Sequence, residues 1–90
     1  MESWIDRLAN ELGEEPLSER ETSLLLRTAR EVAHRVERRV TPLSAFLLGA
    51  TAGRAAAGGT SRDVALEAAS DTTRSLLATW PAEGSASPRA

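Results

Sequence analysis

His34 is the single histidine of a 90-residue chain that has no cysteine. It shares one side of a helix with Arg27, Arg30 and Arg38, all within about 80° of each other on a helical wheel. Arg39 follows directly. The planar fork of arginine takes phosphate or carboxylate bidentately, so this stripe is a candidate site for a small anionic ligand or an acidic partner surface. The competing reading is a solvated charged face balanced by Glu31 and Glu37. A sixth candidate, Arg54, interrupts the most apolar stretch of the chain. It either reaches a carboxylate or ligand from a buried position, or it extends to solvent near a helix C-terminus, where a cation is favoured.

Other chemistries lack their residues. One histidine without cysteine builds a zinc site only with remote carboxylates, so no metal ligand set is nominated. There is no Gly-x-Ser-x-Gly element for acyl transfer. Adjacent acids occur at Glu14-Glu15, in a proline-bearing loop with no opposing group. The Gly49 to Gly53 spacing is no phosphate loop, because no Gly-Lys-Ser/Thr follows. No catalytic residue and no cofactor is therefore assigned, and the expectation is a non-enzymatic protein. Eleven arginines, no lysine and thirteen acids give a net charge of −2. That argues against nucleic acid as a partner, which needs a basic footprint.

The residues around these candidates predict an all-α fold, a small four-helix bundle over residues 1–80 with a buried central third helix. The expected helices span residues 2–12, 19–39, 42–57 and 61–80, and residues 81–90 read as a disordered polar tail. In the first helix Trp4, Ile5, Leu8, Ala9 and Leu12 repeat at helical spacing. Ser3 and Asp6 form a capping pair, and Gly13 is suited to end the helix. Ser18 and Glu21 have capping-box spacing for the second helix. Its apolar stripe runs through Leu25, Ala29, Val32, Val36 and Val40, and Glu31 stands four residues before Arg35, a helix-supporting pair. Thr41 is the expected cap of the third helix, with Pro42 in its first turn.

That third helix, residues 41–58, has one charge and is apolar or small almost all the way round. Such a pattern marks burial on more than one side. It is too short and interrupted for a membrane span. Ala45, Gly49, Ala52, Gly53 and Ala56 form a small-residue seam. Two interior glycines cost roughly 1 kcal/mol each relative to alanine, so the seam predicts close approach of another helix. In the fourth helix Ala65, Ala68, Ala69, Thr72, Leu76 and Trp80 line one face, and Pro81 stops it. The three aromatic residues, Trp4, Phe46 and Trp80, are expected to anchor the core. Leu24, Leu48 and Leu77 fall outside these stripes, and exposed leucines would favour self-association.

Taken together, several segments resemble a small all-helical family of uncharacterised function from high-GC bacteria. Its members occur free-standing or fused to the molybdenum cofactor guanylyltransferase. The matching residues are Trp4-Ile5, Leu8 and Leu12-Gly13, then Ala29-Arg30-Glu31-Val32-Ala33-His34 and Arg39. Thr41-Pro42-Leu43, Phe46-Leu47, Gly49 and Ala52-Gly53 complete the pattern. The resemblance spans residue 3 to about residue 80. An acid often stands in the family where this chain has Arg30, and Val40 before Thr41-Pro42 is a second departure. The resemblance implies no catalytic set. It implies an accessory or interaction module linked to molybdenum cofactor biosynthesis, with a protein partner such as a molybdenum cofactor enzyme. Two alternatives stand beside it. One is a pterin- or nucleotide-binding protein using His34 and the nearby arginines. The other is an obligate homo-oligomer, a homodimer in its simplest form. Met1-Glu2-Ser3-Trp4 has neither the basic nor the apolar region of a secretory leader, so the expected location is the cytoplasm.

Overall fold

The computed structural model describes residues 3–80, and these form an all-α fold of four helices. Helix α1 spans Trp4–Leu12, α2 Glu19–Arg35, α3 Thr41–Ala57 and α4 Arg62–Ala78. One 3-10 turn, Arg38–Val40, joins α2 to α3. The expected tail over 81–90 lies outside the described residues.

The caps follow from side-chain chemistry. Ser3 Oγ accepts from the Asp6 N–H at 3.1 Å, and Gly13 ends α1 in the left-handed region at φ 76°. Glycine pays no Cβ penalty there. Ser18 and Glu21 close the capping box from both sides, which satisfies two otherwise orphaned donors. One expected cap differs. Val40 precedes α3 and Thr41 lies inside it, because the 3-10 turn runs straight into the helix. At α4 the cap is Ser61, with its hydroxyl donating to Asp63 Oδ1. The second helix also ends earlier than residue 39, at Arg35, where Val36 leaves helical geometry.

Helices α2 and α4 run parallel, and α3 returns between them. Cross-links at matching heights fix that direction. Arg20 pairs with Glu67, Glu21 with Arg62 and Glu31 with Arg74, while Arg35 Nη1 donates to the Leu77 carbonyl at 2.9 Å. Glu31 thus reaches another helix rather than Arg35. The core is Leu48 and Ala52 of α3 against Ala65, Leu66 and Ala69 of α4, with Leu24 and Leu25 of α2 packed on it. Val32 and Leu77 are also buried.

Helix α1 stands apart. None of its Cα atoms lies within 8 Å of one in another helix, and no residue in it is buried. Its absence from the bundle explains the other departures from expectation. Trp4, Phe46 and Trp80 are exposed rather than core anchors. In α3 only Leu48 and Ala52 are buried, so the third helix is central but covered on one side. Leu48 and Leu77 are buried, and Leu24 is half-buried. The inward face of α4 runs through Ala65, Leu66, Ala69, Ser70 and Leu77, while Ala68, Thr72, Leu76 and Trp80 lie open. The residues assigned to a fourth wall are apolar, but no fourth helix of this chain covers them. The glycine seam is open as well: a Cβ built at Gly49 or Gly53 meets nothing within 4 Å.

Candidate functional site

Three groups of side chains compete as a site. The first is the arginine stripe. Arg27, Arg30 and His34 sit along the exposed side of α2, Arg38 and Arg39 in the 3-10 turn, and Arg54 in the last turn of α3. All six are exposed, and no ion pair among the described residues engages any of them. Arg27 borders an open cleft of about 290 Å³ with Arg20, Ser23, Leu24 and Glu67. His34 is near the C-terminal end of α2, where α3 begins. Arg54 is about 20 Å further along α3, thirteen residues on at the helical rise. The structure therefore keeps Arg27, Arg30 and His34 on one side of α2, puts Arg38 and Arg39 in the turn beyond its end, and leaves Arg54 at the other end of α3. Neither His34 nor Arg54 borders this cleft or the hollows along α3.

The second group is a polar clamp that the sequence resolved only in part. Glu21 is 4% exposed. Its carboxylate accepts from Arg62 Nε at 2.9 Å and from Arg62 Nη2 at 2.7 Å. The same guanidinium donates to the Glu15 and Pro16 carbonyls, both at 2.9 Å. Arg62 thus ties the start of α4 to α2 and to the loop that leads back to α1. The Arg62 hydrogen bonds hold the Glu21 carboxyl well below its usual 4.5, at about 2, against the opposing effect of burial. The fork is the reason: two parallel charge-assisted bonds stabilise the ionised form. Arg74 acts in the same direction on the half-buried Glu31, chiefly by hydrogen bonding, with Arg27 and Arg35 adding attraction. Four of the five Arg62 donors are spent on the fold, and the Glu21 carboxylate they hold is almost buried.

The third group is apolar. Leu43, Phe46 and Leu47 on the outer side of α3 are between 64% and 72% exposed. Beside them an open groove of about 300 Å³ runs between α3 and α4, floored by Leu48 and Ala69 and walled by Leu47, Thr51, Thr72 and Leu76. A second hollow of about 160 Å³ continues it past Leu76 to Val36, Val40 and Trp80. The unpartnered face of α1 adds Trp4, Ile5 and Leu12. A monomer rarely exposes apolar patches of this size without a use for them. The signal for this face was present in the all-round apolar wheel of α3. That wheel predicts burial on every side, but three helices cannot enclose one another on every side.

Among the described residues no group of three or more His, Cys, Asp or Glu is placed to hold a metal. No helix among them is long and apolar enough to cross a membrane. Residues 1–85 match the family described as a domain of unknown function, DUF6457. The chain belongs to the DUF6457 family. No curated protein and no solved structure matches it. The match covers all four helices of the DUF6457 domain, α1 included, so the projecting helix is part of the family unit.

Proposed function

We propose that this DUF6457 domain is a non-enzymatic protein-interaction module that binds through the outer face of α3 and the apolar side of α1. One observation carries the reading: Leu43, Phe46 and Leu47 form an exposed apolar face beside an apolar groove, and α1 meets no other helix among the described residues. Burying a large apolar side chain is worth about 1.5–3 kcal/mol, so a partner that covers this face gains affinity from each of them. The arginines at positions 27, 30, 38 and 39, with His34, form a cationic flank suited to acidic residues of the same partner. Rim charges of this kind act on encounter rate and orientation more than on affinity. The finer expectation places the module in molybdenum cofactor maturation, docked on an enzyme of that route. Its support is the sequence resemblance.

The test is capture by a tagged chain in its native host, with wild type and Phe46→Glu run in parallel. The expected result is an identified protein, a second copy of the chain or another, that the variant loses. Equal recovery by both would overturn the assignment of the face. Recovery of no molybdenum-cofactor protein in any condition would reject the finer placement and leave the face standing.

A further inference from the structure

The exposed side of α3 is self-complementary in size. Its N-terminal half carries the bulk, Leu43, Phe46 and Leu47, and its C-terminal half carries Ala50, Gly53 and Ala57. These residues recur at i, i+3, i+4 and i+7, the spacing of a helix–helix seam. They are symmetric about Ala50. If two α3 helices pack antiparallel with Ala50 at the centre, Leu47 falls opposite Gly53 of the other copy, and Leu43 opposite Ala57. Phe46 falls opposite Arg54, the one charge on α3, where a guanidinium over an aromatic face is attractive. No pair sets bulk against bulk or charge against like charge. Gly53 has nothing within 4 Å of where a Cβ would sit. A leucine from a second copy gives that open helical glycine a role that nothing in its own chain provides.

The area agrees. Trp4, Ile5, Leu12, Leu43, Phe46, Leu47 and Leu76 are each between 46% and 72% exposed. Together they leave on the order of 800 Å² uncovered, which is the share one partner brings to a standard interface. The α3 strip alone supplies roughly half of that, so α1 must contribute. Helix α1 is about 13.5 Å long and the groove between α3 and α4 runs about 10 Å from Ser44 to Thr51, so one fits the other.

On the reading that the outer face of α3 is an interaction surface, we infer that its occupant is a second copy of this chain. The two α3 helices pack antiparallel about Ala50, and α1 of each copy covers the α3–α4 groove of the other. The contact is isologous and closes at the dimer. It restores to each protomer the fourth helical wall that its own α1 does not build.

The chain has no cysteine, which allows single thiols to read the register. The purified full chain is expected to sediment as a dimer at micromolar concentration. Under mild oxidation Ala50→Cys should link to itself, because the two copies of that position face each other on the two-fold axis. Arg54→Cys alone should not, since its two copies lie about 12 Å apart along the axis. A mixture of Phe46→Cys with Arg54→Cys should give the mixed dimer. Phe46→Glu should shift the chain to monomer with its helical circular dichroism unchanged, and Trp4→Ala with Leu12→Ala should weaken the dimer about tenfold or more. A monomeric wild type overturns the inference, whether the face is then covered by α1 of the same chain or by a different protein. That outcome leaves the interaction-module reading intact. Self-linkage of both Ala50→Cys and Arg54→Cys would establish a parallel dimer, and self-linkage of Arg54→Cys alone an antiparallel dimer centred on that residue; either result overturns the register.

Discussion

Leu48 and Phe46 sit two residues apart on one helix, yet Leu48 is 6% exposed and Phe46 72%. The inward side of α3 meets alanines and a leucine of α4 and two leucines of α2. The outward side is largely apolar too and, among the described residues, meets no other helix. Hydropathy is the same on both sides, so it does not decide which one is buried. The deciding factor is the number of neighbours. Two helices, α2 and α4, enclose one half of α3, and the helix needed for the other half projects away. The difference separates two energies in one element. The inner face stabilises the fold, and the outer face is held for association.

The largest effect should come from the inner face. Leu48→Ala is expected to destabilise the chain by about 2–5 kcal/mol through lost burial and a residual cavity. That is a large part of what a domain this small has. Phe46→Ala, at a dilution where the chain is monomeric, should change stability by no more than about 0.5 kcal/mol. Chemical denaturation of both variants measures the contrast. Equal losses would mean that Phe46 is enclosed by its own chain, and the division of α3 into two faces would fail.

The clamp at the far end of the bundle gives the next effect. Arg62→Ala leaves the Glu21 carboxylate almost buried without its partner. We expect a loss of about 1–3 kcal/mol, below the range for a fully buried pair because Arg62 is itself part-exposed. The pH dependence has a definite sign. The folded pKa of Glu21, about 2, lies below its ordinary 4.5, so the folded state holds fewer protons there than the unfolded chain. Its contribution is complete above pH 4.5 and is lost as pH falls from about 4.5 toward 2. In Glu21→Gln the melting temperature should fall less steeply across that window. An unchanged slope would show that the clamp is open in solution.

The smallest effect returns to α3. Gly49 lies on the flank, where nothing approaches a built Cβ, so Gly49→Ala should stabilise the monomer by about 0.5–1 kcal/mol by reducing unfolded-chain entropy. Destabilisation in a thermal melt would mean that the seam is packed after all.

The order of these effects follows how much of each feature is local. The helices and the turns between them were legible because their signals lie within a few residues. Ser18 and Glu21 form their capping box inside one turn, and Gly13 supplies the backbone that ends α1. The all-α class and the four segments follow from such signals together with apolar spacing. The shared side of Arg27, Arg30 and His34 was legible too, because residues three, four and seven apart share a helical side, while Arg38 falls beyond the end of α2. The cleft that Arg27 borders was not, since concavity needs a second element, here Glu67 of α4.

What only the tertiary structure decided is which apolar face meets which. Arg62 could be seen as a first-turn arginine, but its bond to Glu21, 41 positions away in the chain, depends on α2 and α4 running parallel. Glu31 could satisfy a local rule with Arg35, yet it reaches Arg74 because a neighbouring helix presents a fork at 3.0 Å. The same holds for α3. Its composition dictated that both sides be apolar, and local physics says no more than that. Burial of one side and exposure of the other is a property of how many helices the chain brings to it, and that count is set by where α1 goes.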